Sequence, residues 1–271
     1  MSKKIETQHG VVAFLDILGY ANFLENNEPE VAAQTVLDFL TTVPKRTIDT
    51  LLDILSTKST RKEIEQQLGD LKWLVFSDSI LLTCPYPNDA DPKQKSLSWL
   101  MSFFSLIITC RHLLDSGLPV RGGVSCGKFF VKEYCFAGRC IVAAHALASS
   151  LDLAAVALDD SAKKELDNLK ARKYFNIIGK ITIPYLVPLK GGASVKRIVL
   201  PPSFPQIRFD NPDLRQVVAE SFWRHNKDVP PSVLGKLYNT EMFLRFMKTQ
   251  FPKMFESKAK QPNKAIDSNE E

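Results

Sequence analysis

Two short apolar runs, each carrying a single carboxylate, restrict this chain more than any other feature. The first is Val11-Val12-Ala13-Phe14-Leu15-Asp16-Ile17-Leu18-Gly19-Tyr20, the second Leu74-Val75-Phe76-Ser77-Asp78-Ser79-Ile80-Leu81-Leu82. Their β-branched and aromatic content reads as strand. An unpaired carboxylate in an apolar strand loses its hydration at a cost of several kcal/mol. Two acids on neighbouring strands can instead share a divalent cation, and such a pair at the rim of a sheet suits chemistry on a nucleoside triphosphate. Taken singly, each acid also fits a turn or a helix cap, since Asp16 stands just before a glycine break and Asp78 is followed by a serine.

The rest of the pattern places these runs in an α+β chain. A strand over 10–16 is followed by helical spacing from Glu28 to Leu55, interrupted by Pro44. Residues 72–84 read as two strands joined by the turn Phe76-Ser77-Asp78-Ser79. A polar loop over 85–92 leads to a buried helix over about 94–116, ending at Gly117. Next come a strand over 120–130 broken by Gly122, Gly123 and Gly127, a helix of small residues over 137–150, a short strand over 156–158 and a short helix over 161–169. Strands at about 173–178, 182–187 and 195–200 complete a sheet expected to carry its helices on one face. Pro201-Pro202-Ser203-Phe204-Pro205 marks a boundary. The expected organisation is a domain over 1–200, a helical extension over 201–256 with helices at 213–225 and 231–249, and a disordered polar tail over 257–271.

Composition narrows the function classes. At 271 residues the chain can bury one large core. A formal charge of +5 with no basic stripe interleaved with aromatics argues against nucleic acid as a partner. The five cysteines form no C-x-x-C pair and read as free thiols, and the four histidines are scattered, which disfavours zinc. The greasiest stretch, Leu97 to Cys110, is short for a bilayer span, so a soluble, cytoplasmic protein is expected, without a membrane partner.

At this point the residues resemble a family. Phe14-Leu15-Asp16-Ile17-Leu18-Gly19-Tyr20 looks like the first metal motif of class III nucleotidyl cyclases, and Ser77-Asp78 in a hairpin turn looks like that family's Gly-Asp. Arg121-Gly122-Gly123-Val124-Ser125-Cys126-Gly127 is similar to the strand bearing Arg-x-Gly-Ile-x-x-Gly. Gly138, Ile141 and the Ala-rich helix take the place of Gly-x-x-Val-Asn-x-Ala-x-Arg. The resemblance covers roughly residues 8–200. It is closest to the pyrimidine cyclases of bacterial Pycsar anti-phage defence, with Asp-Ile-Leu-Gly, Phe-Ser-Asp-Ser and an Arg-Gly-x-x-Ser-x-Gly strand.

The resemblance implies a ferredoxin-like βαββαβ core and a homodimer with its sites at the interface. It also implies metal-dependent cyclisation of UTP or CTP to a 3′,5′-cyclic nucleotide read by a separate effector. Asp16 and Asp78, with the Ile17 carbonyl, would hold divalent metal, Mn²⁺ or Mg²⁺, two ions per site. Residues Ile17, Leu18, Gly19 and Tyr20 would offer backbone N–H groups to the triphosphate. Arg121 and Lys190 would act on phosphates, the rivals being a surface ion pair and a solvated turn lysine. The Ala-rich helix and the aromatic C-terminal helices are the expected dimerisation surfaces. Removing either acid is expected to leave stability level or higher without metal, and removing Arg121 to leave it unchanged.

Departures from the family pattern bear on the substrate. Val142 and Ala146 stand where the family has Asn and Arg, and Leu74 stands where it has a purine-selecting Lys or Glu. Cys135 alone matches a guanylyl-type residue, and His145 lies on the Ala-rich helix over 137–150. Alternatives are a degenerate nucleotide-binding or dimerisation module and a GTP or ATP cyclase.

Overall fold

The computed structural model describes residues 7–55, 61–132, 135–170, 176–203, 209 and 213–255. Strand β1 (Thr7–Ile17) runs through the middle of an eight-stranded sheet, antiparallel to β3 (Ser79–Tyr86) on one side and β4 (Val120–Lys132) on the other. β2 (Lys72–Phe76) pairs with β3, and β5 (Cys135–Ala137) folds back on β4. β6 (Val156–Leu158) lies parallel to β4 and is followed across the sheet by β8 (Ser194–Val199) and β7 (Ile183–Pro188). The first four strands lie in the order β2-β3-β1-β4, joined by α2 (Pro29–Leu55) and α4 (Pro92–Asp115), which is the expected βαββαβ arrangement of an α+β chain.

Strand alternation divides β1 between two surfaces. Val11, Ala13, Leu15 and Ile17 enter the main core with Val36, Leu40 and Val43 of α2 and Trp99, Phe103 and Leu106 of α4. Val12 belongs to a smaller cluster with Leu81, Phe129, Cys140 and Ala144, and Phe14 packs against it. Asp91 caps α4, its Oδ1 accepting from Gln94 N at 2.8 Å, with Pro92 at the first helical position. α4 is long and apolar enough to cross a bilayer, but 78% of its most apolar window is buried inside the fold.

Several expectations need correction. α2 runs through Pro44 unbroken, because Leu40, Val43 and Thr47 are buried around it and Thr47 Oγ1 meets Thr109 Oγ1 of α4 at 3.0 Å. Packing there outweighs the one helical hydrogen bond that proline removes. β4 is also continuous through its glycines. A Cβ on Gly123 would sit 2.2 Å from the Ala144 carbonyl oxygen, so that glycine serves the close approach of α5 (Arg139–Ser150) and not a strand break. Where a strand was expected over 173–178, residues 176–181 form helix α7 (Asn176–Ile181), and 173–175 lie outside the described residues.

Nor are the helices confined to one face. α6 (Asp160–Lys170) joins the main core through Ala162 and Leu166. α5 lies over β4 and β1 on the opposite surface. There α8 (Leu214–Trp223) and α9 (Pro231–Gln250) pack Val218, Phe222, Phe243, Leu244 and Met247 against Val187, Val199 and Ala157 of β7, β8 and β6. Two segments complete the helices, α1 (Tyr20–Glu25) after β1 and α3 (Arg61–Gly69) before β2. The expected polar tail from 257 lies outside the described residues.

The link between α8 and α9 is fastened to the C-terminal end of α4 by three basic side chains. Arg224 Nη1 donates to the Asp115 carbonyl, His225 Nε2 meets the Ser116 carbonyl at 2.7 Å, and Lys227 Nζ donates to the Gly117 carbonyl at 2.6 Å. The positive charges of Arg224 and Lys227 at and just beyond this helix end are favoured by hydrogen bonding and by the helix dipole.

Candidate functional site

Asp16 is the penultimate residue of β1 and lies on the same strand face as Val12 and Phe14. Its cross-strand partners are Ser79 on β3 and Arg121 on β4. Direct pairing makes the contact short: Arg121 Nε and Nη2 both reach Asp16 Oδ2, at 2.7 and 2.5 Å. The two side chains retain only 17% and 12% of their accessible surface. Arg121 Nη1 adds bonds of 3.3 Å to the carbonyls of Ser149 and Leu151, at and just beyond the end of α5. One guanidinium thus ties β1, β4 and α5 together, using the planar fork that suits carboxylate oxygens.

Asp78 reaches the same end of the sheet by a different route. It occupies the two-residue turn between β2 and β3, where Ser77 takes a left-handed φ of 54°. Its carbonyl accepts from Ile17 N at 2.9 Å, which seats the turn against the end of β1. The half-buried Asp78 side chain meets Ser79 Oγ at 3.5 Å. Sequence order left Asp16 and Asp78 far apart; the β1–β3 pairing brings them to one rim.

The four-residue phosphate cradle expected at 17–20 shrinks to two residues. Ile17 N is spent on Asp78, and Leu18 N donates to the Pro119 carbonyl at 2.8 Å. Gly19, at φ 78°, is the N-cap of α1, and Tyr20 opens it; their amides are the two of the four not used in those bonds. The glycine is required by the left-handed turn, which a side chain would strain.

Lys190 lies in the β7–β8 turn, and its backbone N donates to the Ser150 carbonyl at 2.9 Å. Segment 149–152 is therefore shared: Arg121 holds two of its carbonyls, Lys190 a third, and Asp152 N donates to the Pro188 carbonyl at 3.0 Å. Burial lowers the Lys190 ammonium below its usual range, helped by the positive charges of Arg121 and Lys236 and opposed by Asp16 and Asp152. Lys236, on α9, was not anticipated from the sequence. A lysine one turn before Thr240 carries no signal until α9 is docked.

The small residues of α5 behave differently from expectation. Ala144 and Ala148 are fully buried, facing the molecule's own β4, so they are not a free dimerisation surface. The outward stripe is Val142, His145 and Ala146, with Val142 68% exposed. His145 stands edge-on to Phe14 at 4.8 Å and meets Ser149 Oγ at 3.4 Å, two residues along β1 from Asp16. Leu74, half-buried on β2, pairs across from Leu81. Cys135 pairs with Lys132 at the far end of β4 from Arg121, so the structure does not bring it to Asp16 within one chain.

The donor set bears on the metal. Among the described residues no cluster of three or more His, Cys, Asp or Glu side chains exists. What the rim offers is Asp16 Oδ1, the two Asp78 carboxylate oxygens and the backbone carbonyl of Ile17, the last residue of β1, all hard oxygen donors, with Asp16 Oδ2 already on Arg121 and the Asp78 carbonyl on Ile17 N. That set fits Mg²⁺ or Mn²⁺, which take one or two carboxylates and complete their shell with water and substrate phosphate; it does not fit a caged metal.

No family model matches the chain, and no curated protein matches it. Among solved structures it is similar to the adenylyl cyclase CyaB from P. aeruginosa, at 14% identity and a TM-score of 0.47, over 73% of this chain and 96% of that one. It is also similar to the guanylate cyclase domain of RhGC from Catenaria anguillulae in complex with GTP, at 13% and 0.45, over 72% and 97%. A third is a class III adenylyl cyclase-like ATP-binding protein from Pseudomonas aeruginosa, at 17% and 0.41, over 58% and 34%.

Proposed function

We propose that the protein is a metal-dependent nucleotidyl cyclase that works as a homodimer. Its substrate would be a pyrimidine nucleoside triphosphate, UTP before CTP, and its product a second messenger of anti-phage defence read by a separate effector. The observation that carries the reading is the convergence of Asp16, Asp78 and Arg121 at one rim, from three motifs whose order along the chain resembles class III cyclases.

In the reaction the ribose 3′-hydroxyl would lose its proton to solvent as its oxygen bonds to the α-phosphorus, the bond from that phosphorus to the bridging oxygen would break, and pyrophosphate would leave with the electron pair. A divalent cation held by Asp16 and Asp78 would neutralise phosphate charge and acidify the attacking hydroxyl. The chain's own residues do the rest. Arg121 would release Asp16 and take phosphate oxygens, and Lys190 would add charge beside the leaving group. Leu74 offers the base no hydrogen bond where the family's purine-selecting side chain stands, which favours a pyrimidine. Phe76, 76% exposed, and the Val142 stripe are the apolar surfaces a second copy would cover, closing the rim to water.

A second reading is a nucleotide-binding module without turnover. The closed Arg121–Asp16 pair and the apolar residues at 142 and 146 favour it. Pyrophosphate release from UTP and CTP separates the two: the cyclase reading expects release with Mn²⁺ that Asp78→Asn abolishes in a folded protein. Binding of UTP with no release at any metal concentration rejects it.

A further inference from the structure

We propose that Lys236 of the C-terminal helix α9 joins Arg121 and Lys190 in a three-cation site for the di- or triphosphate group of the ligand. This rests on the reading of the Asp16–Asp78 rim as a nucleoside triphosphate site, and it makes the C-terminal extension part of that site.

Three connections place Lys236 there. Asn239 Nδ2 donates to the Asp152 carbonyl at 3.0 Å and to Asp152 Oδ2 at 3.2 Å, and Ala154 N donates to Thr240 Oγ1 at 2.8 Å. These bonds dock the middle of α9, one turn beyond Lys236, beside the segment whose carbonyls hold Arg121 and Lys190. Helical spacing then sets the direction of Lys236: it is one turn before Thr240, on the stripe that continues through Phe243, Leu244 and Met247 into the core. It therefore faces the molecule at the rim of this stripe, half-buried, and its charge acts on Lys190 together with that of Arg121.

Charge balance points to an anion. Arg121 is matched by Asp16, and Asp152, whose carboxylate acts on Lys190, offsets one of the two lysines, which leaves the three cations an excess of one. Among the described residues, neither Lys190 nor Lys236 has a carboxylate within ion-pair distance. Two lysines held near a buried guanidinium repel one another, and a polyphosphate relieves that repulsion while using their charge. Lysine acts as a flexible point charge, which suits the outer phosphates, and arginine's fork suits the inner one.

Calorimetric titration of the full-length protein with magnesium pyrophosphate tests the site without requiring turnover. Wild type should bind. Lys236→Gln should bind about tenfold or more weakly, the loss of one charged contact. Lys236→Arg should restore binding, and Lys248→Gln, on the exposed part of the same helix, should not change it. Thermal melts show whether Lys236→Gln is folded; a lost affinity that Lys236→Arg does not restore assigns the residue a structural role and overturns the proposal. So does unchanged pyrophosphate affinity in Lys236→Gln, or no binding by wild type. If pyrophosphate binding follows this pattern but no nucleoside triphosphate is cyclised, the three-cation site stands and the cyclase reading falls. If UTP is cyclised with the same KM and pyrophosphate affinity in Lys236→Gln, the reverse holds.

Discussion

Asp16 and Asp78 look alike in sequence, yet the structure gives them unequal jobs. Asp16 is a cross-strand ion-pair partner with little exposure, and its loss leaves Arg121 facing only carbonyls. Asp78 fastens its turn through its backbone carbonyl, which any residue retains. Asp16→Ala should therefore lower unfolding free energy by about 3 kcal/mol, as for breaking a mostly buried pair. Asp78→Ala should cost less than about 1 kcal/mol. Denaturant titrations of the two variants measure the difference, and equal stabilities would refute it. This corrects the expectation of level stability for Asp16, and the same pair makes Arg121 a structural residue as well as a proposed phosphate ligand. A second consequence concerns the cation: with Oδ2 committed to Arg121, few donors remain without phosphate. Mn²⁺ should bind weakly alone and at least about tenfold more tightly with a nucleoside triphosphate present. Paramagnetic broadening of water relaxation reads this, and tight binding by the bare protein would contradict it. The sequence showed which residues carry chemistry but not that Asp16 and Arg121 meet, because a contact between residues 105 positions apart depends on strand register.

At the scale of elements, the α8–α9 link is a charged fastener with its own pH signature. Burial, and then the neighbouring Arg224, lower the Lys227 ammonium to about 8 from an ordinary 10.5. The folded chain thus sheds this proton before the unfolded chain does. Between those two pH values the unfolded state binds more protons, so this group's contribution to stability rises with pH. Lys227→Met removes that slope, and the stability difference between wild type and variant should move in favour of wild type from pH 7.5 to pH 9.5. Chemical denaturation at the two pH values measures it; a constant difference would show that Lys227 keeps an ordinary ammonium. Helices and strands with clear periodicity were legible, among them β1, β3, α4, α5 and α9. α7 was not: Asn176-Ile177-Ile178-Gly179-Lys180-Ile181 has strand-like residues, and local propensity gave way to tertiary context. The glycines of β4 misled for a related reason, since the α5 contact that needs Gly123 is invisible in one strand's sequence.

At the scale of the whole molecule, one chain covers its sheet unevenly. Of the C-terminal aromatic residues expected at a subunit interface, Phe222 and Phe243 are buried against the chain's own strands, whereas Trp223 and Tyr238 stay open, as do Val142 on α5 and Phe76 next to the Asp78 turn. The exposed apolar surface nearest the rim is the outer stripe of α5 with the β2–β3 turn, and Trp223 and Tyr238 leave a second apolar surface on the C-terminal helices. Ala144→Arg would disrupt the fold itself, because Ala144 is fully buried. Val142→Arg is the better probe: it should give folded monomers with little activity, seen by sedimentation and pyrophosphate release. Fully active monomers would refute the shared site. Purified protein is incubated with equimolar ATP, GTP, CTP and UTP and Mn²⁺, and the products are resolved by mass spectrometry. A cyclic pyrimidine monophosphate is expected, chiefly from UTP, with equimolar pyrophosphate and none from Asp78→Asn. A cyclic purine product, or no cyclic product from any of the four, would contradict it.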